Sequence, residues 1–328
     1  MKLSIFSQFV FLLTALVVIN PLDSYGQQLE QRSLFVKKIE EKIKLDGVLD
    51  EAVWNEADIA TDFWQMFPTD SLRSTNKTEV KLLYDDTYIY ISAYAKGVGA
   101  NFMVSSLKRD FSARSNDNVT VLFDTFRDGQ NAFLFGVSAY GVQREGLISD
   151  RGVTINGFSL TWDIKWKAET VRNEDSFTIE LAIPFNSLKY PEGSQRWGFQ
   201  SYRYDMQTND RSSWSSVPQN QIPVNLGYLG ELVFEEPLSK NKTPLYLIPY
   251  INGLSSNSFN DSPKANSLNV GGDLKIAVGN GLNLDITLNP DFSNVEVDDI
   301  ITNLTRFEIS LPEKRQFFID NRDLFGNF

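Results

Sequence analysis

The fold of this chain is decided by a stretch that reads Glu79-Val80-Lys81-Leu82-Leu83-Tyr84-Asp85-Asp86-Thr87-Tyr88-Ile89-Tyr90-Ile91-Ser92-Ala93-Tyr94-Ala95. The run from Tyr88 to Tyr94 is almost continuously apolar, which is typical of a central strand covered on both faces. Asp85-Asp86 is a turn signal that separates it from the β-rich run starting at Glu79. The stretch therefore predicts two strands of a large sheet joined by a turn.

Working outward, four more β-rich runs follow at the spacing of a β-sandwich. They run from Val119 to Phe126, Ala132 to Ala139, Trp162 to Val171 and Phe177 to Ile183, with turn signals at Arg127-Asp128-Gly129, Tyr140-Gly141 and Asn173-Glu174-Asp175. One short helix is predicted over Glu51–Ala57 with Asp50 as its cap, and a short turn after Pro184. The predicted class is all-β: an antiparallel β-sandwich with one short helix over residues 34–236, followed by an incomplete antiparallel hairpin region.

Composition restricts the chemistry of the chain. It has 328 residues and neither Cys nor His, which excludes disulfides, thiolate nucleophiles, Ser-His-Asp triads and ordinary zinc centres. Net charge is −11, from 31 basic and 42 acidic residues, with no dense basic cluster, so a nucleic-acid partner is not expected. Carboxylates, Lys and Tyr remain as acids and bases. No cofactor is required, and Ca²⁺ held by oxygens is the metal that such a chain could take.

The two ends of the chain have their own patterns. Residues 1–26 predict a secretory signal peptide, because Lys2 precedes an interrupted apolar stretch and small residues precede Gln27. Residues 237–244 are rich in Pro, Lys and polar residues and predict a linker. The run from Gly272 to Val278 then predicts a hairpin with the strand from Leu282 to Leu288, which alternates apolar and polar residues. That alternation suits a half-buried sheet or a lipid-facing strand.

Several motifs occur in an order typical of one family. The first, residues 44–57, reads Lys44-Leu45-Asp46-Gly47-Val48-Leu49-Asp50-Glu51-Ala52-Val53-Trp54-Asn55-Glu56-Ala57. The later ones are residues 78–90, Lys108-Arg109-Asp110, Asn116-Asp117-Asn118-Val119, Phe123-Asp124-Thr125, Trp162-Asp163-Ile164-Lys165-Trp166 and residues 180–188. Residues 34–236 thereby resemble carbohydrate-binding module family 9. The resemblance implies a β-sandwich that binds a glycan, in that family between two Trp side chains.

A second resemblance covers the end of the chain. Residues 287–298, 303–308 and 312–318 are similar to a stretch of large envelope proteins, mostly from Bacteroidetes. Those proteins join a family 9-like domain to a long β domain regarded as an outer-membrane barrel of undefined function. The resemblance implies that residues 245–328 begin such a domain, and that the chain is a truncated gene product or a fragment. It places the protein in the periplasm, outer membrane or cell surface of a Gram-negative bacterium, with envelope proteins as further partners.

Aromatic and polar residues supply the candidate glycan site. Sugar rings stack on flat aromatic side chains, while their hydroxyls pair with polar groups. Trp64 and Trp214 are the candidates expected to be exposed, whereas Trp162 and Trp166 share a strand face of which at least one member is core. Trp54 is expected in the core.

The polar candidates are Arg109, Asp110 and Asp117. Arg109 could grip vicinal hydroxyls with its planar fork, or an Arg–Asp structural pair could fix the loop before a strand, which is the favoured interpretation. Asp124, Asp128 and Asn131 could hold Ca²⁺, although Asp128-Gly129 also suits an ordinary hairpin turn, which is the favoured interpretation.

Three functions remain open at this level. The first is non-catalytic carbohydrate binding by an exported cell-envelope protein. The second is a structural or plug-like domain of an outer-membrane protein that binds no sugar. The third is a glycoside hydrolase of polysaccharide catabolism that relies on two carboxylates alone.

Overall fold

The computed structural model of the chain describes residues 32–154, 157–160, 162–239, 246–256, 265–278 and 282–289. Its strands are β1 (Ser33–Lys38), β2 (Ile59–Ala60), β3 (Trp64–Phe67), β4 (Thr78–Tyr84), β5 (Tyr88–Lys96), β6 (Asn118–Asp124), β7 (Ala132–Ser138), β8 (Gln143–Ile148), β9 (Phe158–Ser159), β10 (Lys167–Arg172), β11 (Ser176–Pro184), β12 (Arg196–Asp205), β13 (Asp210–Ser213), β14 (Gly230–Phe234), β15 (Tyr246–Ser256), β16 (Ala265–Val278) and β17 (Leu282–Leu288). Short 3-10 helices span Ala52–Glu56, Ala113–Ser115, Asp150–Gly152, Phe185–Ser187 and Leu226–Tyr228. None of the described helices is long and apolar enough to cross a membrane.

Strands β1 to β14 form a curled β-sandwich. One sheet has the order β10-β11-β5-β4, with β2 on β4. The other has the order β14-β12-β6-β7-β8-β9, with β13 on β12 and β3 on β13. Strand β1 links the two sheets, because Ser33–Val36 pair in parallel with β14 and Lys37–Lys38 pair in parallel with β4. The predicted all-β sandwich is confirmed.

The main core lies between the sheets. On β6 the inward residues alternate as Val119, Val121 and Phe123, and they meet Phe199 and Trp197 from β12. The rings of Phe123 and Phe199 stack with centroids 5.7 Å apart. The outward face of β6 is buried as well, because Leu122 belongs to a second cluster with residues of the 217–229 segment. This segment crosses the outer face of the sheet and shapes the depression described below.

The first motif docks onto the sandwich through Glu180 of β11. Its buried carboxylate accepts hydrogen bonds from the backbone N–H groups of Asp46 (3.0 Å) and Gly47 (2.9 Å) and from Trp54 Nε1 (3.1 Å). Trp54 is 2 % exposed, so its expected core position is confirmed. The predicted helix is a single 3-10 segment preceded by Glu51, and no side chain caps it, so the predicted Asp50 cap is wrong.

The predicted strands and the observed ones agree in most of the sandwich. Strands β4, β5, β6, β7 and β11 confirm five predicted runs to within about two residues, and a 3-10 turn follows Pro184 as expected. The remaining predicted run, from Trp162 to Val171, is wrong over residues 162–166, because β10 begins only at Lys167. Trp162 and Trp166 instead fold irregularly under β7, where their rings lie 6.0 Å and 5.3 Å from that of Phe135. Burial of two indoles outweighs the strand propensity of this segment.

Strands β15, β16 and β17 form a separate three-stranded antiparallel sheet, and the predicted hairpin pairs Val278 with Leu282. One face is apolar and at least 39 % exposed at each of Leu247, Ile251, Leu268, Val270, Leu284, Ile286 and Leu288. The opposite face carries Asn269, Asp273, Asp285 and Thr287. The predicted signal peptide and the motifs beyond residue 289 lie outside the described residues, as does most of the predicted linker.

Candidate functional site

Arg109, a leading candidate from the sequence, is held at the edge of β8. Its guanidinium donates to Glu145 Oε1 through Nε (3.1 Å) and Nη2, to Gln143 Oε1 (2.8 Å) and to the carbonyl of Ile164 (3.3 Å). Asp163 lies 3.6 Å from Nε. These acceptors occupy the planar fork, so the structural-pair interpretation of Arg109 fits the geometry better than a grip on sugar hydroxyls.

Glu145 is the unexpected partner at this edge. It is fully buried, and burial raises the pKa of its carboxyl to about 7 even though Arg109 opposes the shift. Asp110 lies beside it and accepts a long hydrogen bond from the Glu145 backbone N–H (3.4 Å). Burial raises the pKa of Asp110 too. The structure therefore brings three predicted site residues together, namely Arg109, Asp110 and Trp166. They surround the buried carboxylate of Glu145 and do not form an open surface for a ligand.

Asp117 lies apart from that cluster and braces the backbone. Its fully buried carboxylate accepts hydrogen bonds from the N–H groups of Met103 and Met206 (2.7 Å). Burial raises its pKa, and the two backbone donors lower it. Asp117 thus ties the loop before β6 to the end of β12, and its side chain does not face solvent.

The four Trp candidates do not form an open pair of platforms. Trp214, expected to be exposed, is 4 % exposed and packs on Phe199 with ring centroids 5.4 Å apart, so this expectation is wrong. Trp162 and Trp166 are both 7 % exposed within the main core. Trp64 is half-buried, and the Arg73 guanidinium lies 3.5 Å from its ring centroid. One face of Trp64 is thereby already occupied.

The residues considered for Ca²⁺ form a hairpin turn between β6 and β7. Asp124 Oδ2 accepts from the N–H of Gly129 (2.9 Å), and Asp128 Oδ1 accepts from Gln130 (2.7 Å) and Asn131 (3.4 Å). Among the described residues, no three Asp, Glu, His or Cys side chains are grouped as a metal site requires. The geometry fits the turn interpretation, and Ca²⁺ binding stays a prediction.

An aromatic depression opens on the outer face of the β12 sheet, and we call it the outer depression. It is a shallow depression with a cavity volume of about 70 Å³, and it is lined by Met66, Phe67, Arg114, Tyr202, Arg203, Tyr204, Arg211, Ser212, Gln219, Gln221, Ile222 and Pro223. Tyr202 and Tyr204 are nearly buried and form its floor, because alternate residues of β12 point outward. Phe67, at the end of β3, lines the depression. Pro223, from the segment that crosses the sheet, lines it as well.

Guanidinium and amide groups surround this aromatic floor. The Arg211 guanidinium lies 5.0 Å from the Phe67 ring centroid and 5.5 Å from that of Tyr204. Burial raises the pKa of Tyr204, while Arg211 and Arg114 lower it. Gln219 is fixed from below, since its N–H donates to Asp70 (3.0 Å) and its Nε2 to the carbonyl of Pro68 (3.0 Å). The outer depression combines aromatic surface with oriented polar groups, as sites for small polar ligands do.

A comparison with known protein families identifies the family of this chain. The model of the carbohydrate family 9 binding domain-like family matches residues 45–223, more than half of the chain. The chain belongs to this family. Non-catalytic carbohydrate binding is the function of such a module, so the expectation from the sequence is confirmed at the level of the family. A second model, a domain of unknown function (DUF5916), matches residues 241–327.

Solved structures of the same family are similar to this family 9 domain. One is a carbohydrate binding module family 9 from Caldicellulosiruptor kristjanssonii in complex with cellotriose, with 15 % identity, 62 % of this chain and 94 % of that chain covered, and a TM-score of 0.46. Another, from the same organism in complex with glucose, has 16 % identity, covers 65 % and 100 % of the two chains and has a TM-score of 0.45. No curated protein matches the chain.

The residues of the outer depression were missed in the sequence of this family 9 domain. Tyr202-Arg203-Tyr204 carries a usable pattern, because two aromatic residues at strand spacing share one face. Arg211 and Phe67 come next to each other only through the pairing of β13 with β3. No spacing in the sequence shows that pairing, since 144 positions separate the two residues.

Proposed function

We propose that this family 9 domain binds a saccharide in the outer depression and does not cleave it. The observation that supports the proposal is the half-buried ring of Phe67 at the depression, with guanidinium and amide groups around it, above the buried Tyr202 and Tyr204. The C–H faces of a sugar ring pack on such aromatic surfaces, and its hydroxyls accept hydrogen bonds from Arg and exchange them with Gln. The family resemblance implies a clamp of two Trp side chains, whereas the aromatic side chains that line the outer depression are Phe and Tyr.

The lining argues for binding rather than hydrolysis. Hydrolysis of a glycosidic bond by carboxylates alone needs two of them across the cleft. Among the described residues that line the outer depression there is neither Asp nor Glu. The nearby carboxylate of Asp210 is buried and accepts from Gln65 Nε2 (2.9 Å) and Ser74 Oγ (3.0 Å). A bound saccharide would therefore meet donors and rings, with no acid to protonate the leaving group.

Titration calorimetry of the protein against a panel of plant and envelope oligosaccharides tests this proposal. Phe67→Ala is expected to weaken binding about 10- to 100-fold, because a ring that contacts the sugar contributes about 1.5–3 kcal/mol through buried area. Phe126→Ala is the matched control, since Phe126 is 54 % exposed and lies outside the lining. Equal affinities of the two variants, or release of reducing sugar by the purified protein, would contradict the proposal.

We also propose an outer-membrane location for the chain, based on the sheet of β15, β16 and β17. Its exposed apolar face contrasts with an opposite face that carries mainly polar residues beside the exposed Ile248, an alternation that transmembrane strands use to face lipid on one side. Ile286→Arg is expected to reduce flotation of the protein with liposomes. Thr287→Arg, on the opposite face, is expected to leave flotation unchanged. Identical flotation of the two variants would count against contact of this face with lipid.

A further inference from the structure

The lining of the outer depression is positively charged, whereas the whole chain has a net charge of −11. The chain as a whole carries 42 acidic and 31 basic residues, yet the lining of the depression contains three arginines and no acid. Arg203 is 1 % exposed and is neutralised by Asp205, whose Oδ2 lies 3.1 Å from Nη2. Two guanidinium groups, those of Arg114 and Arg211, are left to set the charge that a ligand meets.

Neither of these two arginines forms an ion pair within the described part of the chain. Arg211 lies over the rings of Phe67 and Tyr204, so its charge faces aromatic surface and the depression. Arg114 is exposed in the 3-10 turn of Ala113–Ser115. By contrast, Arg109, Arg127, Arg196 and Arg203 are each paired with a carboxylate. Arg144, Arg151 and Arg172 also lack an ion pair among the described residues, so what distinguishes Arg114 and Arg211 is that both line the depression.

A further guanidinium on the same sheet face lacks an acceptor. Arg144 of β8 is in register with Gly136, Gly136 with Thr120, and Thr120 with Tyr202, so Arg144 points to the side of the sheet on which the depression opens. Arg144 is 6 % exposed, and its Nε and Nη1 have no hydrogen-bond partner. Its guanidinium lies 4.8 Å from the Phe158 ring centroid. Two buried donor atoms on this side of the sheet are thus left without an acceptor among the described residues.

We propose that the ligand of the outer depression is an anionic saccharide, bearing carboxylate or sulfate groups, held by Arg114 and Arg211. The proposal rests on saccharide binding in the depression and adds its chemical class. A guanidinium only donates hydrogen bonds, and a carboxylate or sulfate accepts two of them side by side. The hydroxyl protons of a neutral sugar would find only amide, hydroxyl and backbone oxygens as acceptors in the lining, and none of the charged acceptors that bind such protons most strongly. The ring would pack on Phe67 while the anion meets the two arginines.

Paired ligands that differ only in charge test the class. Titration calorimetry with the whole chain would compare a trigalacturonate with its fully methyl-esterified form, and a sulfated galactan oligosaccharide with its desulfated form. At least one acid is expected to bind about 10- to 100-fold more tightly than its neutral partner, because hydrogen bonds to charged groups contribute about 1.5–3 kcal/mol. The preference is expected to shrink as salt is added. The two pairs distinguish carboxylate from sulfate as the recognised group.

Variants connect the preference with the site. Arg211→Gln and Arg114→Gln are each expected to reduce the acid-to-neutral ratio at least about tenfold while affinity for the neutral partner changes little. Arg172→Gln is the matched control, since Arg172 also stacks on a ring (Tyr140, 3.9 Å) but lies outside the depression. Thermal unfolding of each variant checks that it folds, and an unfolded Arg211→Gln leaves Arg114→Gln as the test.

The possible outcomes separate the two proposals. Equal binding of acid and neutral partners that is lost in Phe67→Ala keeps saccharide binding and overturns the anionic class. A preference for the acid that survives in both Arg variants overturns the assignment to Arg114 and Arg211. No binding of any acid or neutral saccharide overturns both proposals. A preference lost in Arg211→Gln and retained in Arg172→Gln supports the anionic class.

Discussion

Among single residues, Glu145 has an environment with a measurable consequence for stability. Its pKa is about 7 in the folded protein against an ordinary value of 4.5, because burial disfavours the charged carboxylate. Between these two values the unfolded chain has lost the proton that the folded protein still holds. The free energy of unfolding therefore falls as pH rises from about 4.5 to 7, by on the order of 3 kcal/mol in all, and it levels off above that window.

Glu145→Gln isolates this contribution, because the amide is neutral at every pH. We expect the variant to gain stability relative to the wild-type protein as pH rises through that window. Urea unfolding at pH 4.5, 6 and 8 measures the difference between the two proteins. Parallel curves over this range would show that Arg109 holds the carboxylate charged throughout. Glu169→Gln, at an exposed position of β10, is the control for the change of a carboxylate to an amide.

Single residues also show what the sequence could and could not predict of the site. Trp54 was correctly assigned to the core from its place in a motif, because the motif fixes its surroundings locally. Arg109 was found, but not its partner, since Glu145 lies 36 positions away and meets it only through the docking of a loop on β8. Arg211 was missed for the same reason. Residue type predicts which interactions a side chain can make, while the fold decides whether its polar groups are already paired within the protein.

At the scale of elements, the turn at Gly47 is fixed by its contact with β10. Gly47 has φ +80°, and a Cβ added there would lie 3.0 Å from the backbone of Thr170. Gly193 has nearly the same backbone, with φ +76°, but has nothing within 4 Å. Gly193→Ala should therefore cost only the backbone strain, about 1–2 kcal/mol. Gly47→Ala should cost more, because the backbone of β10 must also move.

Thermal or urea unfolding of the two alanine variants measures this difference directly. We expect Gly47→Ala to be less stable than Gly193→Ala by at least about 1 kcal/mol. Because the two glycines have nearly the same φ, each variant is the control for the backbone strain in the other. Equal losses would mean that the motif moves away from β10 without cost, and that its anchorage by Glu180 is weaker than the three hydrogen bonds indicate.

Elements with a strong local pattern were predicted well, and those that depend on distant partners were not. The run from Tyr88 to Tyr94 is central, since β5 pairs with both β4 and β11. Strands β3 and β13 have four residues each, and β3 joins the sheet only by pairing with β13, which itself pairs with β12. The segment from Trp162 to Trp166 has the composition of a strand but is bent by the burial of its two indoles. Local propensity decides an element only where tertiary packing agrees with it.

At the scale of the whole molecule, the sandwich depends on a strand that lies outside the matched family region. The family model begins at residue 45, whereas β1 precedes it and pairs with both sheets. Leu34 and Val36 of β1 are 2 % and 0 % exposed, so the strand fills the core at the seam between the sheets. Its removal would open edges on β14 and β4 and expose apolar side chains of the core.

We expect a fragment of residues 32–239 to unfold cooperatively and a fragment of residues 39–239 not to fold. Loss of the two buried aliphatic side chains alone removes roughly 3–6 kcal/mol, which is a large part of the 5–15 kcal/mol typical of a domain, before the opened edges are counted. Near-ultraviolet circular dichroism during thermal unfolding distinguishes the two fragments. Leu34→Ala within the longer fragment separates loss of core packing from loss of strand pairing. Cooperative unfolding of the shorter fragment at an unchanged temperature would show that the two sheets hold together without the strand that links them.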